Sequence, residues 1–236
     1  MKLKESFNPN VYYCFGNKRV SLRNLKAKLV NITCLGEEVN FAQLVLAEQT
    51  HSAEVKLIES ADLGSGFIDS KPEIPLVDGF VTDKPNAFLV LKTADCTPIL
   101  IYSKEQQVVG GCHSGREGTK NGIVKQLLNT MLANFKVDTT ELIVMVGPAI
   151  SGKNYQVDQA TFSDFVKVTG VEQEDLRIDM QKVILRDILE FGILRENVFL
   201  SEECTFSDSN YFSYRENKTK ERQLSIIGIR DGKIHK

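Results

Sequence analysis

Two of the three histidines in this 236-residue chain sit in short polar motifs that directly follow apolar runs. His51 lies in Gln49-Thr50-His51-Ser52, after residues 42–47, and His113 lies in Cys112-His113-Ser114-Gly115, after residues 107–111. Between them, Thr93-Ala94-Asp95-Cys96-Thr97-Pro98 follows the run 87–91. Each motif falls where a strand is expected to end, which is where scaffolds present reactive side chains. Two imidazoles and one thiolate suit a borderline-soft cation such as zinc, with one position left for water or substrate. Ligands drawn from three separate strand ends, with no short-range pair, point to a catalytic centre rather than a zinc finger. Such an ion would ionise Cys96 and draw the pKa of a bound water toward ~7.

The same atoms serve other chemistries. Cys96 as nucleophile, with His113 or His51 as base, would make a thiol hydrolase. Two histidines and a cysteine also match the equatorial set of a blue-copper site for Cu2+, although none of the four methionines that could supply a weak axial ligand falls in these motifs. In purely structural terms Cys96 would pack beneath its strand, His51 would cap a turn and His113 would be a satisfied core histidine. If residues 107–113 are extended, Cys112 and His113 face opposite ways and only one can enter the site. Cys112 is the one assigned to the core. Asp78, in Val77-Asp78-Gly79-Phe80, and Asp95 are candidates to orient ligands or move protons, and each could equally cap a turn. Cys14, Cys34 and Cys204 read as structural and His235 as solvent-exposed.

The elements that must position these residues alternate between strand-like and helix-like periodicity. Strands are expected over residues 11–15, 43–47, 54–58, 88–91, 98–102, 107–111, 141–146 and 224–229. Several are nearly continuous apolar runs, as in strands covered on both faces. After the second histidine motif, Ile123, Leu127, Met131 and Leu132 form one helical stripe with Phe135 near it. Residues 161–168 and 181–191 read as further helices, the second with Ile184, Ile188 and Phe191 on one face. Neither a long linker nor an internal repeat interrupts residues 1–236, so a single α/β domain of layered type is expected.

Composition narrows the function classes. Hydrophobic residues make up 42% and charged residues 25%, and a net charge of −2 leaves no electrostatic footprint for nucleic acid or anionic lipid. No apolar run reaches the roughly 18 residues of a membrane helix, and the start lacks the apolar stretch of a secretory signal. Five cysteines without paired spacing argue against a disulfide framework, so a cytoplasmic location is expected. The glycines near His113 form neither GxGxxG nor a Walker loop.

Six ordered blocks give the chain a family resemblance: Gln49-Thr50-His51; Asp78-Gly79-Phe80-Val81-Thr82; Thr93-Ala94-Asp95-Cys96-Thr97-Pro98; His113-Ser114-Gly115; Gly147-Pro148-Ala149-Ile150; and Phe212-Ser213-Tyr214-Arg215 with Glu221-Arg222-Gln223. Together they resemble the YfiH-type family, also called laccase-domain or multicopper polyphenol oxidase-like proteins, to which human FAMIN is related. The resemblance implies an α/β sandwich with mixed sheets and flanking helices, and a metal bound by His51, Cys96 and His113. It also implies zinc-dependent phosphorolysis of adenosine, inosine and methylthioadenosine, with adenosine deamination beside it. Under that reading Asp95 joins the three ligands as a catalytic group, and Gln49, Asp78, Arg116, Arg215 and Arg222 contact the nucleoside and phosphate. No oligomeric partner is predicted. Older descriptions in the family imply a copper polyphenol oxidase or a factor in peptidoglycan precursor editing, and three histidines are too few for a multicopper centre. One block departs from the pattern. The family usually continues His-Ala-Gly-Trp-Arg-Gly-Thr, whereas this chain reads His113-Ser114-Gly115-Arg116-Glu117-Gly118-Thr119. The arginine is thus displaced by one position, about 100° at a helix start. Loss of a phosphate-holding arginine there would favour hydrolysis or deamination over phosphorolysis.

Overall fold

The computed structural model of the chain describes residues 10–26 and 39–231, so Cys34 and His235 lie outside the described residues. In chain order the first strands are β1 (Val11–Phe15), β2 (Leu44–Leu46), β3 (Val55–Leu57), β4 (Gly79–Thr82) and β5 (Ala87–Thr93). They are followed by β6 (Thr97–Ser103), β7 (Val109–Ser114), β8 (Leu142–Val146), β9 (Val198–Leu200) and β10 (Gln223–Ile229). The helices are α1 (Leu22–Lys26), α2 (Arg116–Lys120), α3 (Ile123–Asn134), α4 (Gln159–Thr169), α5 (Met180–Glu190) and α6 (Tyr214–Asn217).

The strands form two mixed sheets, one ordered β1-β10-β5-β2 and the other β3-β4-β7-β6-β8-β9. Alternation along each strand divides its side chains between two layers. On β5, Leu89 and Leu91 enter the core between the sheets, while Phe88 and Val90 pack on the outer side of the small sheet. On β6, Leu100 and Tyr102 face that inter-sheet core, and Ile99 and Ile101 face the helices. Both faces are covered, which is why these strands read as unbroken apolar runs. The helices α3 and α5 close the other face of the large sheet through Val124, Leu127, Leu128, Met131, Val183, Ile184 and Ile188. The result is a single-domain α/β sandwich, as the motif pattern implied. Among the described residues no helix is long and apolar enough to cross a membrane.

Several expectations shift in detail. Leu132 is 36% exposed, and Leu128 completes the buried stripe instead. Residues 124, 127, 128 and 131 follow the i, i+3, i+4, i+7 rule, and Leu132 lies about 40° past Leu128, outside the edge of that face. The strand expected at 107–111 runs further, so His113 stands inside β7. The short strands β4 and β9 were not anticipated, and neither were the short helices α1, α2 and α6.

Register gathers the polar motifs at one end of the sandwich. Thr97 at the start of β6 pairs with Ser114 at the end of β7, which brings Cys96 beside Gly115. Thr93 at the end of β5 pairs with Gln223 at the start of β10, and parallel β2 leaves the sheet beside β5. Gly79 at the start of β4 pairs with Cys112. The turn 94–96 therefore crosses from one sheet to the other at the place where all these strands terminate.

Candidate metal centre and the cavity above it

The site is built around a carboxylate. Asp78 is fully buried just before β4 and accepts hydrogen bonds from three successive backbone amides, Thr50 (3.0 Å), His51 (3.1 Å) and Ser52 (2.7 Å). The Ser52 hydroxyl adds a fourth at 2.8 Å. This nest holds the loop after β2 in a conformation that gives His51 a φ of +63°, a region non-glycine residues enter only when neighbours enforce it. The same carboxylate lies 2.8 Å from His113 Nδ1, so the Nε2 atom of His113 is the one turned toward the site. Burial alone would raise the Asp78 carboxyl, but hydrogen bonds from His113 and Ser52 and the charge of His113 outweigh it and hold it well below the usual carboxylate range.

Cys96 reaches the site from the inter-sheet turn, half-buried, with its Sγ 3.8 Å from His51 Nε2. The two imidazole rings stand nearly perpendicular with centroids 4.8 Å apart. One nitrogen from each histidine and the Cys96 sulfur all lie within 4.8 Å of one another, a group that could hold a metal ion. The donor set fits zinc chemistry on three counts. The second nitrogen of His113 is fixed by a carboxylate, the sulfur is inclined to ionise, and one side of the group opens to solvent. Burial would raise the Cys96 thiol, yet the His113 charge and hydrogen bonds from both imidazoles lower it. Burial would likewise depress His113, and the Cys96 and Asp78 charges raise it instead. Gly115 permits this closeness: a Cβ there would lie 2.6 Å from His51 Cδ2 and 3.0 Å from Cys96 Sγ. Cys112, pointing the other way from His113, is wholly buried among core residues, where burial pushes its thiol up. The opposed faces expected for this pair are what the strand provides.

Asp95 occupies the turn itself with a φ of +80°. Its two oxygens accept from Thr205 Oγ1 (2.9 Å) and from the Arg215 amide (2.7 Å), so it ties the turn 94–96 to the segment carrying α6. Gln49 is similarly committed. Its side-chain amide donates to the Lys92 carbonyl at 2.8 Å and accepts from the Lys92 amide at 2.7 Å, extending β5 pairing past the end of β2. Cys204, read from sequence as structural, accepts from the Ser151 amide (3.3 Å) and Asn154 Nδ2 (3.2 Å). Burial would raise its thiol, and those hydrogen bonds bring it down to about 6.

Above the trio opens a cavity of about 950 Å³. Its lining includes Gln49, Asp95, Arg116, Arg215 and Arg222 from the expected set. Arg116 and Glu117 both reach it because residues 116–120 form α2, and they pair at 3.1 Å. Arg215 donates to the Gln156 carbonyl at 2.7 Å and its guanidinium lies 5.0 Å from the Tyr155 ring centre. Arg222 donates to the Thr219 and Glu221 carbonyls. Sequence reasoning missed Tyr155, Lys92, Lys218 and Lys220, all of which line the cavity. Tyr155 carries no motif signal, whereas Lys218 and Lys220 lie between the two halves of the last polar block.

A model of the multi-copper polyphenol oxidoreductase laccase family matches residues 24–230. The chain belongs to that family. Within it, a purine nucleoside phosphorylase, YlmD, of Bacillus subtilis is 27% identical over 79% of this chain and 71% of its own length. A purine nucleoside phosphorylase of Synechocystis is 31% identical over 65% of this chain and 68% of its own. Among solved structures, the hypothetical protein YfiH of Bacillus licheniformis superposes with a TM-score of 0.79 at 27% identity, covering 88% of this chain and 80% of that one. The laccase-family name stresses copper, while the curated relatives are named for nucleoside chemistry. Among the described residues the geometry offers one group of two ring nitrogens and a sulfur rather than a cluster of histidines.

Proposed function

We propose that this chain is a zinc-dependent purine nucleoside phosphorylase acting on adenosine, inosine and methylthioadenosine. The observation that carries the reading is a three-donor metal group at the floor of a cation-lined cavity, in a chain whose relatives are named for this activity. A zinc ion held by His51, Cys96 and His113 would supply a Lewis acid at that floor. Phosphorolysis brings phosphate to the ribose C1′ as the purine leaves, so cations must hold the attacking anion in place. Arg116, Arg215 and Arg222 are assigned that task, and the Asp78 carboxylate and Gln49 amide keep the surrounding loops in register. Asp95 acts as a positioning residue, since both of its oxygens are taken by Thr205 and Arg215.

Adenosine deamination is proposed as a second activity of the same cavity. It requires a carboxylate able to move a proton. Asp78 and Asp95 are committed to structural hydrogen bonds, which leaves Glu117, a carboxylate at the cavity wall that pairs with Arg116 and Lys120. A thiol-hydrolase reading draws on the lowered Cys96 thiol beside two imidazoles. It predicts activity that survives chelation and is lost on alkylation of Cys96. Cys96, Cys112 and Cys204 carry free thiols, in keeping with a cytoplasmic home.

Incubating zinc-loaded protein with adenosine, with and without phosphate, tests the proposal. Adenine and ribose-1-phosphate that form only with phosphate are the expected products, and inosine reports deamination. No turnover of adenosine, inosine or methylthioadenosine by zinc-loaded protein would contradict it.

A further inference from the structure

The cations lining the cavity fall into two groups. Lys92 pairs with Glu73 at 2.6 Å and Arg116 with Glu117 at 3.1 Å. Arg215, Lys218, Lys220 and Arg222 line the same cavity, and among the described residues none has a carboxylate within salt-bridge distance. Of the acids that line the cavity, Glu117 pairs with Arg116 and Lys120, and the Asp95 oxygens accept from Thr205 and the Arg215 amide. Glu221 faces Arg23 at 3.8 Å, and neither Glu221 nor Glu216 lines the cavity.

The segment bearing these cations is held by its own hydrogen bonds. Ser213 caps α6 by accepting from the Glu216 amide, the Lys218 amide donates to the Tyr214 carbonyl, and the Arg215 amide is anchored on Asp95. Lys218 takes a φ of +57° and sets its ammonium 4.8 Å from the centre of the half-exposed Tyr214 ring. Lys218 and Lys220 line the cavity with their side chains exposed, whereas His113 is buried.

A nucleoside is neutral and one phosphate carries about two charges at most. Arg215 and Arg222 alone already match that charge, so two further lysines exceed what phosphorolysis of a nucleoside needs. The cavity, at about 950 Å³, also stands at the upper end of the ~300–1,000 Å³ typical of small-molecule sites. We propose that Lys218 and Lys220 form a second phosphoryl subsite, which holds the 5′-phosphate of a purine nucleoside monophosphate whose base and ribose occupy the floor. Phosphorylated nucleosides therefore enter this cavity and compete there with nucleosides. The inference rests on the nucleoside reading of the floor and adds to it a charged ligand class.

Calorimetry on the zinc-loaded full chain separates the possibilities, with adenosine, adenosine 5′-monophosphate and inorganic phosphate titrated one at a time. The monophosphate is expected to bind about tenfold more tightly than adenosine, the size of one charge-assisted pair. Combining Lys218→Gln with Lys220→Gln brings the two within about twofold of each other, while Lys218→Arg with Lys220→Arg preserves the difference. Adenosine affinity and zinc content stay unchanged in both double variants. A monophosphate that binds no better than adenosine, or an advantage that survives the glutamine pair, overturns the inference. So does an equal loss of inorganic phosphate binding in the glutamine pair, which assigns the lysines to the free anion. If adenosine itself fails to bind, the nucleoside reading falls as well.

Discussion

Asp78 decides the geometry of both histidines at once. It accepts from the amides on either side of His51 and from the ring of His113. In Asp78→Asn one carboxylate oxygen becomes an amino group facing donors. Zinc affinity is then expected to fall by about 10–100-fold, with a lower unfolding temperature, read by metal titration and by thermal denaturation. Because its folded pKa is depressed, Asp78 contributes stability that is complete above the ordinary carboxylate range. That contribution is lost as pH falls through the lowered folded value. The acid limb of the stability curve should therefore flatten in Asp78→Asn. The Cys96–His113 pair makes a separate prediction. The thiol is lowered and the imidazole raised, so near neutral pH the free pair carries a single proton on His113. Zinc binding at about pH 7.5 should release about one proton, taken from the imidazole. Titrations in buffers of different ionisation enthalpy measure it, and release of two or more would mean that Cys96 enters as a neutral thiol.

At the scale of elements, the crossing turn between β5 and β6 and the loop before α2 must approach within contact distance. Gly115→Ala puts a methyl against His51 and Cys96. We expect zinc binding and turnover to fall by at least about tenfold, about 1.4 kcal/mol or more, while circular dichroism stays that of the parent. Unchanged zinc affinity would mean that the loop can shift freely. The elements legible in sequence were those with long periodic signals, as in α3, α5, β5, β6 and β8. β9 escaped notice because three residues are too few to establish alternation, and β4 because Asp78-Gly79 drew attention as a motif. Leu132 misled because its type fits the stripe and only its angle around α3 excludes it.

Across the whole molecule, two sheets share a core and end together, so motifs 62 residues apart in sequence (His51 and His113) meet at one edge. The convergence of His51, Cys96 and His113 was legible because histidine and cysteine are rare in this chain and each stood at the close of an apolar run. The cavity wall was not. Tyr155 reaches it from the segment before α4 and Lys92 from near the end of β5, which residue type alone does not announce. Gln49 and Asp95 stood out in sequence because they flank the ligand motifs, while their hydrogen bonds to Lys92, Thr205 and Arg215 emerge only in three dimensions.

The account depends on one zinc ion shared by His51, Cys96 and His113. Zinc-edge X-ray absorption of the loaded protein addresses it directly. One sulfur at about 2.3 Å with two imidazole nitrogens at about 2.0 Å is the predicted shell, and the sulfur should vanish in Cys96→Ser. A shell of nitrogen and oxygen alone in the parent protein would contradict the account.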